Sequence, residues 1–164
     1  NINKKLIIFK QKIFCYKFNL LYQNLTWHGS RACKKKNLYS PQWLRNIKYR
    51  KYPIWRFDII FSKKKYNDIH YVENGGWHFT NMKSPEDIEK KFLNFLHHQD
   101  FEASGLKLKD IKEKIQNKKI LYDLAVDQRD YKWDGIKTLN KVSLSEMPDY
   151  LSYNYKKYSD WLEI

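Results

Sequence analysis

A pair of glycines followed by an alternating aromatic segment constrains this chain more than any other feature. Gly75 and Gly76 reach backbone conformations that other residues avoid, so they predict a tight turn or a close approach of the backbone to a ligand. In a strand that begins at Trp77, this residue would share one face with Phe79, while His78 would point to the other. The segment therefore predicts a turn that leads into a strand with an aromatic face and an imidazole face.

The strongest helix signal follows this segment closely. The sequence Ser84-Pro85-Glu86-Asp87 supplies an N-cap, a proline at the first helical position and acids that suit the positive end of the helix dipole. The apolar stripe that follows at helical spacing consists of Ile88, Phe92, Phe95 and Leu96. This pattern predicts a helix that runs to about His97.

The same kinds of signal predict the remaining elements. Strands are expected over Lys12–Tyr22, Leu25–Cys33, Trp55–Phe61 and Asp68–Val72. Helices are expected over Lys4–Gln11, from Ser40 onward, over Lys107–Gln116 and over Pro148–Trp161. Because helices and strands alternate without a regular strand–helix–strand period, we expect one mixed α/β domain spanning residues 1–164.

Composition indicates a folded and strongly basic chain. Hydrophobic residues make up 42% and aromatic residues 17%, which argues against disorder, because disordered chains are poor in aromatics. The net charge is +14, but only five of the 32 basic residues are Arg. Since specific recognition of phosphates and bases favours the Arg fork, this ratio weakens a nucleic-acid interpretation. The abundant Lys fits either codon bias or an anionic partner, such as a phosphate-bearing substrate or an acidic surface.

Cysteine spacing and apolar run length exclude several other classes. Cys15 and Cys33 lack zinc-finger spacing, and two buried thiols in a reducing compartment are expected in preference to one disulfide. No apolar run approaches the roughly 20 residues of a membrane span. The stretch from Leu6 to Leu25 is interrupted by lysines and lacks a small-residue cleavage site, so no signal peptide is predicted.

Histidines and carboxylates offer few catalytic constellations. His97 and His98 are neighbours, about 100° apart on a helix, which is a poor geometry for a shared metal. His97 lies nearer the apolar stripe and is the better functional candidate of the two. The chain has no D-x-D pair, G-x-S-x-G, Walker loop or C-x-x-C. Taken alone, His78 is more easily explained as a hydrogen-bonded residue of a structural strand than as a catalytic one.

Several motifs occur in an order that resembles one known family. They are Trp27-x-Gly29-Ser30-Arg31, Pro41-Gln42-x-Leu44-Arg45, Gly75-Gly76-Trp77-His78-Phe79-Thr80, Ser84-Pro85-Glu86 with Lys91, Phe95 and His97, and Met147-Pro148-x-Tyr150-Leu151. In this order, from about Leu20 to Leu151, the chain resembles family 17 glycosyltransferases. These are relatives of the β-1,4-mannosyl-glycoprotein N-acetylglucosaminyltransferase that adds the bisecting residue to N-glycans. The Gly-Trp-His core is the most specific part of the resemblance.

The resemblance implies a GT-A-like α/β fold and an inverting transferase. Such an enzyme would move a sugar, here expected to be N-acetylglucosamine, from a nucleotide-sugar donor such as UDP-GlcNAc to a glycan acceptor. In the family, a D-x-D-type acidic motif holds a divalent cation, usually Mn²⁺, against the donor diphosphate. This motif precedes the region that the chain matches, and the chain lacks it. We therefore expect the C-terminal part of a catalytic domain, with little activity by itself.

The resemblance also implies roles for individual residues. His78 is expected to be a metal ligand or a diphosphate contact, which makes it the leading catalytic candidate. Residues expected to bind substrate are Gly75, Gly76, Trp77, Arg45, Lys91 and His97. Among these, Trp77 would stack on a sugar or base, and Arg45 and Lys91 would neutralise phosphate charge. An inverting reaction needs a carboxylate base, for which Asp100 and Glu102 are the candidates. The family often has Glu where this chain has Gln99.

Two other functions remain open. A basic nucleic-acid-binding domain would use Lys and exposed aromatic side chains, and it would bind single strands with a strong dependence on salt. A non-catalytic glycan-binding remnant would result if the metal motif had been lost. For the transferase itself we expect no nucleic-acid partner and no membrane span, and a cytoplasmic location in preference to the Golgi.

Overall fold

The computed structural model describes residues 5–50, 52–53, 55–94, 98–124, 133 and 137–163. The strands in this part of the chain are β1 (Leu6–Phe9), β2 (Gln11–Cys15), β3 (Leu20–Trp27), β4 (Arg31–Cys33), β5 (Ile69–Val72), β6 (Trp77–Thr80) and β7 (Asn140–Lys141). The α-helices are α1 (Pro41–Asn46), α2 (Pro85–Leu93), α3 (His98–Ser104), α4 (Leu108–Gln116) and α5 (Asp149–Tyr153). Two mixed sheets combine with these helices, which confirms the predicted α/β class.

The chain divides into two compact units. The first consists of Asn1–Gln11 and Thr26–Gly76, and the second consists of Lys12–Leu25 and Trp77–Ile164. The first unit is built on a three-stranded sheet with the order β4-β1-β5, in which β1 pairs antiparallel with β4 and parallel with β5. The helix α1 begins as predicted, because the Ser40 hydroxyl accepts a hydrogen bond from the Trp43 amide at 3.0 Å.

The central strand β1 shows that the predicted helix over Lys4–Gln11 was wrong. Leu6 and Ile8 are almost fully buried, whereas the intervening Ile7 is only half-buried, so burial alternates with the period of a strand. A helix this short has little stability by itself. Pairing with β4 and β5 instead satisfies the backbone groups of β1 on both sides. These partners are distant in sequence, so local periodicity did not reveal them.

The second unit is built on a four-stranded sheet with the order β6-β2-β3-β7. Its strands β2 and β6 are parallel, with Ile13 opposite His78 and Phe14 opposite Phe79. Residues opposite each other in register share a face of the sheet. His78 therefore lies on the same face as Ile13, and Phe79 lies on the other face, where its ring contacts Phe18 with centroids 5.3 Å apart. This confirms the predicted alternation along the segment that begins at Trp77.

Three helices build the hydrophobic core on the His78 face of this sheet. The buried side chains that form one cluster include Ile13 and Cys15 of β2, Ile88 and Phe92 of α2, Phe101 of α3 and Ile111 of α4. The predicted helix start is confirmed, because the Ser84 hydroxyl accepts from the Asp87 amide at 3.1 Å. The helix over Lys107–Gln116 is also confirmed as α4. The helix α3 was not predicted.

Five predicted elements need correction. The predicted strand over Lys12–Tyr22 is divided between β2 and β3, which a turn separates, and the predicted strand over Leu25–Cys33 is divided between the end of β3 and β4. The helix α2 ends at Leu93, because Asn94 caps it by donating to the Lys90 carbonyl through both its amide and its side chain. The predicted extension to His97 lies outside the described residues. The predicted strand over Trp55–Phe61 is a series of turns around a 3₁₀ segment at Phe57–Ile59. The predicted terminal helix is interrupted, since α5 gives way to a 3₁₀ segment at Tyr155–Trp161.

The last residues of the described chain are held by the turn between β2 and β3. The side-chain amide of buried Asn19 pairs with the backbone of Glu163 in both directions, with its Nδ2 donating to the carbonyl at 2.9 Å and its Oδ1 accepting at 2.8 Å. The Phe18 amide also donates to the Trp161 carbonyl at 2.9 Å. Asn19 thus takes the place of a strand partner for the C-terminal segment.

An ion pair at this segment predicts a small loss of stability in acid. A hydrogen bond from Lys118, at 2.9 Å, lowers the pKa of Glu163 below its ordinary value of 4.5. The unfolded chain therefore takes up this proton first, and the stabilisation present above about pH 4.5 is lost as the pH falls through the lowered pKa. Because the pair is partly exposed, we expect a contribution of roughly 1 kcal/mol or less. Urea unfolding between pH 3 and pH 6 should show a flatter pH dependence in Glu163→Gln, whereas an unchanged dependence would contradict this.

Both cysteines are free, as expected, but only one of the two is buried. Cys15 is buried in the core of the second unit, and burial raises the pKa of its thiol to about 12, so it is an unreactive neutral group. Cys33 is half-buried in β4. Among the residues that the structure describes, no helix has both the length and the apolar character needed to cross a bilayer.

Candidate functional site

Gly75 and Gly76 form a closely packed backbone segment at the end of the first unit. A Cβ atom on Gly75 would lie 2.8 Å from the Cβ of Phe9, and the Gly75 amide donates to the Lys10 carbonyl at 2.7 Å. Gly76 has a φ of 120°, a conformation that side chains other than glycine rarely adopt. The close approach predicted for Gly75 is therefore made to the chain's own strand, and this contact accounts for the glycine without a ligand.

Trp77, the first residue of β6, is fixed through its indole nitrogen, and the residue is 40% exposed. Its Nε1 donates to the Glu146 carbonyl at 2.7 Å. The Glu146 carboxylate in turn pairs with Lys12 at 2.7 Å, and Lys12 lies opposite Trp77 in the parallel register. An aromatic ring and a cation thus lie side by side on one face of the sheet. This arrangement offers a stacking surface next to a positive charge.

His78 lies half-buried on the helix-covered face of the same strand. Removal from water lowers the pKa of its imidazole, because burial penalises the charged form. Above the ordinary value of 6.5 the ring is therefore neutral, and it carries a nitrogen lone pair. A neutral imidazole in this setting can ligate a metal, accept a hydrogen bond or take up a proton.

Both parallel strands of the second unit end in a residue with a left-handed backbone. Tyr16 follows β2 with a φ of 66°, Asn81 follows β6 with a φ of 53°, and the Tyr16 amide donates to the Thr80 carbonyl at 3.2 Å. Positive φ is uncommon outside glycine and marks turns or functional sites. In open α/β sheets, ligands bind beyond the carboxyl ends of parallel strands. This edge is therefore the place in the second unit where a binding site is expected.

Lys91 reaches this edge from α2. Its Nζ donates to the Oδ1 of buried Asn81 at 2.7 Å. Burial, together with repulsion from Lys83, lowers the pKa of Lys91. The Asn81 amide is neutral and does not compensate the ammonium charge. A half-buried cation held by a neutral partner gains strongly from an anionic ligand, because charges attract more in a partly desolvated site.

The structure separates the other predicted site residues. Arg45 is exposed on α1 in the first unit, and its carbonyl accepts a hydrogen bond from Arg31. Asp100 and Glu102 are exposed on α3 in the second unit. His97 lies outside the described residues. The second unit thus contains His78, Trp77 and Lys91 together with both candidate bases, while Arg45, Gly75 and Gly76 belong to the first unit.

The residues that hold the predicted site residues in place were not themselves predicted from the sequence. Asn81 and Lys83 were not selected, although Asn81 lies between the predicted strand and the predicted helix, where a ligand-binding turn of an α/β unit occurs. Glu146 was missed because its contact with Trp77 joins residues 69 positions apart. No sequence pattern reports such a long-range contact.

An apolar pocket is lined by described residues other than the predicted site residues. It has a volume of about 450 Å³ and is lined by Val142, Leu144, Tyr155 and Leu162 beside Asn19. Since the Asn19 side chain is satisfied by Glu163, no unpaired polar group of that residue points into the pocket. The pocket is therefore not part of the candidate site at the carboxyl ends of β2 and β6.

A complete metal site is not present within the described part of the chain. There, no group of three or more His, Cys, Asp or Glu side chains is arranged to hold a metal ion. His78 is one donor of a suitable type, but a Mn²⁺ ion takes several. The described residues therefore do not fit Mn²⁺ as a full coordination set.

Comparisons with known proteins identify no relative of this chain. No protein-family model matches it, and neither a curated protein nor a solved structure does so.

Proposed function

We propose that the chain supplies the C-terminal part of an inverting glycosyltransferase with a GT-A-like fold, which transfers N-acetylglucosamine from UDP-GlcNAc to a glycan acceptor. The motif order that resembles family 17 glycosyltransferases motivates this proposal. The observation that carries it is Lys91, a half-buried ammonium at the carboxyl ends of two parallel strands, which among the described residues donates its hydrogen bond to the neutral Asn81 amide. A diphosphate is the type of anion that such an edge accommodates.

The candidate site residues of the second unit have different roles in this proposal. Lys91, with Lys83 nearby, neutralises charge on the donor diphosphate. The stacking role expected of Trp77 would belong to the opposite face of β6 from His78. The acceptor hydroxyl attacks the anomeric carbon while the bond to the phosphate oxygen breaks, and Asp100 or Glu102 takes the hydroxyl proton. His78 contacts the diphosphate or contributes one donor to a Mn²⁺ ion. Because the described residues lack a full ligand set, no reaction step is assigned to the metal.

A cytoplasmic location forms part of the proposal. It is supported by the two free thiols, since thiols persist in reducing compartments. The alternative of a non-catalytic glycan-binding remnant shares the same surface but predicts no turnover of a nucleotide sugar. Transfer or hydrolysis of UDP-GlcNAc by the full-length protein, which would include the acidic segment implied by the resemblance, therefore separates the two functions.

We expect Lys91→Met to weaken the binding of UDP roughly tenfold, because the substitution keeps the length of the side chain and removes its charge. The matched control is Lys90→Met, which removes an exposed charge from the neighbouring position and should change affinity less than about twofold. Titration calorimetry of the full chain with UDP measures both. Equal affinities of the wild type and the Lys91 variant would exclude Lys91 as a phosphate contact.

In the full-length transferase, which would include the acidic segment implied by the resemblance, we expect His78→Gln to reduce the release of UDP from UDP-GlcNAc at least roughly tenfold in the presence of Mn²⁺, because a neutral amide replaces a basic nitrogen that can ligate a metal or contact a diphosphate. The control is His70→Gln on β5, which changes an exposed histidine of the first unit. Circular dichroism of both variants checks that the fold is retained. Full activity in His78→Gln would remove this residue from the mechanism.

A further inference from the structure

One loop of the first unit presents large apolar side chains to solvent. Between α1 and β5, Trp55 is 74% exposed, Phe57 76%, Ile60 75% and Phe61 87%. Single exposed apolar residues are normal on protein surfaces, but four large ones within seven residues form a patch. Patches of this kind mark surfaces that bind a partner or a membrane.

The loop is ordered by polar contacts, so its apolar side chains point outward in a folded segment. Asp58 accepts two hydrogen bonds from Arg56, at 2.8 and 2.7 Å, and one from Lys65 at 2.6 Å. At the base of the loop, Trp43 Nε1 donates to the Lys63 carbonyl at 2.7 Å. The side chains of Arg56, Asp58 and Lys65 are 31–42% exposed, so in this loop the large apolar residues face water more fully than these charged groups do.

The part of the sequence that carries the apolar patch is also rich in positive charge. Residues 38–66 contain eight Lys or Arg and a single acid, Asp58, so this stretch carries +7 of the chain's net charge of +14. The hydrogen bonds from Arg56 and Lys65 hold the pKa of Asp58 at about 2, so its carboxylate is ionised and its negative charge is balanced within the loop. The Lys48 amide donates to the Lys64 carbonyl at 2.8 Å, which brings exposed lysines from both ends of the loop together.

We propose that this loop docks the protein onto the surface of an anionic lipid bilayer. The partner fits because exposed Trp and Phe settle at the level of the lipid headgroups, while Lys side chains around them attract acidic lipids. Another copy of the chain is a poorer partner, since its corresponding loop carries the same excess of positive charge. A nucleic acid is also poorer, because Ile60 has no ring to stack on a base and the basic residues beside the patch are mostly Lys. This surface lies within the first unit and does not depend on the proposed transferase site.

Sedimentation with vesicles tests this surface. Full-length protein should co-sediment with phosphatidylcholine vesicles that contain about one quarter phosphatidylglycerol, and much less with pure phosphatidylcholine. We expect Phe57→Ser/Phe61→Ser to weaken binding roughly tenfold, and Lys63→Glu/Lys64→Glu to do likewise, with the affinity of the wild type falling as salt rises. Because these side chains are exposed, the variants should unfold at the wild-type temperature.

Two matched controls keep the test specific. Tyr153→Ser removes an exposed aromatic side chain of the second unit, and Lys35→Glu/Lys36→Glu reverses two exposed charges of the first unit; both should bind vesicles within about twofold of the wild type. Equal binding of wild type and loop variants would overturn the proposal. A second outcome would also overturn it: the wild type does not bind vesicles but forms a dimer or binds single-stranded DNA, and the loop variants do not. That outcome would assign the patch to a second copy of the chain or to a nucleic acid.

Discussion

Replacing Phe92 by alanine is expected to destabilise the second unit by about 3–5 kcal/mol, one of the two largest effects that we expect of any single substitution. Phe92 is buried and packs against three other aromatic rings. The centroid of its ring lies 5.2 Å from that of Phe101, 5.6 Å from Trp133 and 5.7 Å from Tyr122. Removal of the ring would leave a cavity, because its neighbours also pack against each other and cannot all move into the space.

The adjacent Leu93 provides the control. It belongs to the same helix but is exposed, so Leu93→Ala should cost less than about 1 kcal/mol. Urea unfolding followed by circular dichroism measures both variants, and near-ultraviolet signals report the aromatic cluster directly. Similar unfolding midpoints for the two variants would show that Phe92 is not in a packed core.

Replacing Asn19 by alanine is expected to cost about 2–3 kcal/mol and to release the C-terminal segment. The substitution leaves both the amide and the carbonyl of Glu163 without the partner that they have in the native structure. The methyl group of alanine makes no hydrogen bond, and the partly buried site limits compensation by water. The ion pairs of Glu163 with Lys118 and Lys17 are partly exposed, so they do not replace this anchor.

Hydrogen exchange locates this effect. The amides of Leu162 and Glu163 should lose protection in Asn19→Ala, while those of α4 should change much less. Asn24→Ala, at an exposed position on β3, is the matched control and should leave protection and stability within about 0.5 kcal/mol of the wild type. Unchanged protection at Glu163 in the Asn19 variant would show that the segment is held by other contacts.

The transferase proposal and the membrane proposal rest on different residues and can fail separately. The first depends on Lys91 and His78 in the second unit, and the second depends on the loop between α1 and β5 in the first unit. Loss of UDP binding in Lys91→Met with vesicle binding intact is the result expected if both hold.

The elements that short-range interactions stabilise could be predicted from short sequence patterns. Both helices that begin with a serine cap and a proline lie where the sequence predicts them, because the Ser40 and Ser84 hydroxyls satisfy amides only three residues away. The strand that begins at Trp77 was also predicted, since its alternation follows from the pleat alone. For the candidate site, this alternation correctly placed His78 and Phe79 on opposite faces.

An apolar segment can form a buried strand or an exposed surface, and for residues 55–61 the amino-acid composition predicted the wrong one of these. Trp55, Phe57 and Phe61 have the composition of a strand, but the structure leaves them exposed on turns that Asp58 organises through Arg56 and Lys65. Composition does not distinguish a side chain that packs in a core from one that faces solvent for another purpose. The same limit applies to Leu6 and Ile8, whose strand depends on two distant partners.

Caps, turns and pleats act within a few residues, so the α/β class, the capped helices, the turn at Gly76 and the opposite faces of His78 and Phe79 could be predicted from the amino acids. Long-range packing set the parallel course of β2 and β6, the left-handed residues that follow both strands and the hydrogen bond between Lys91 and Asn81. It also decided which apolar residues are buried and that Glu146 holds Trp77. These features join residues that are far apart in the chain, and the free energy of such contacts exists only once the chain has folded.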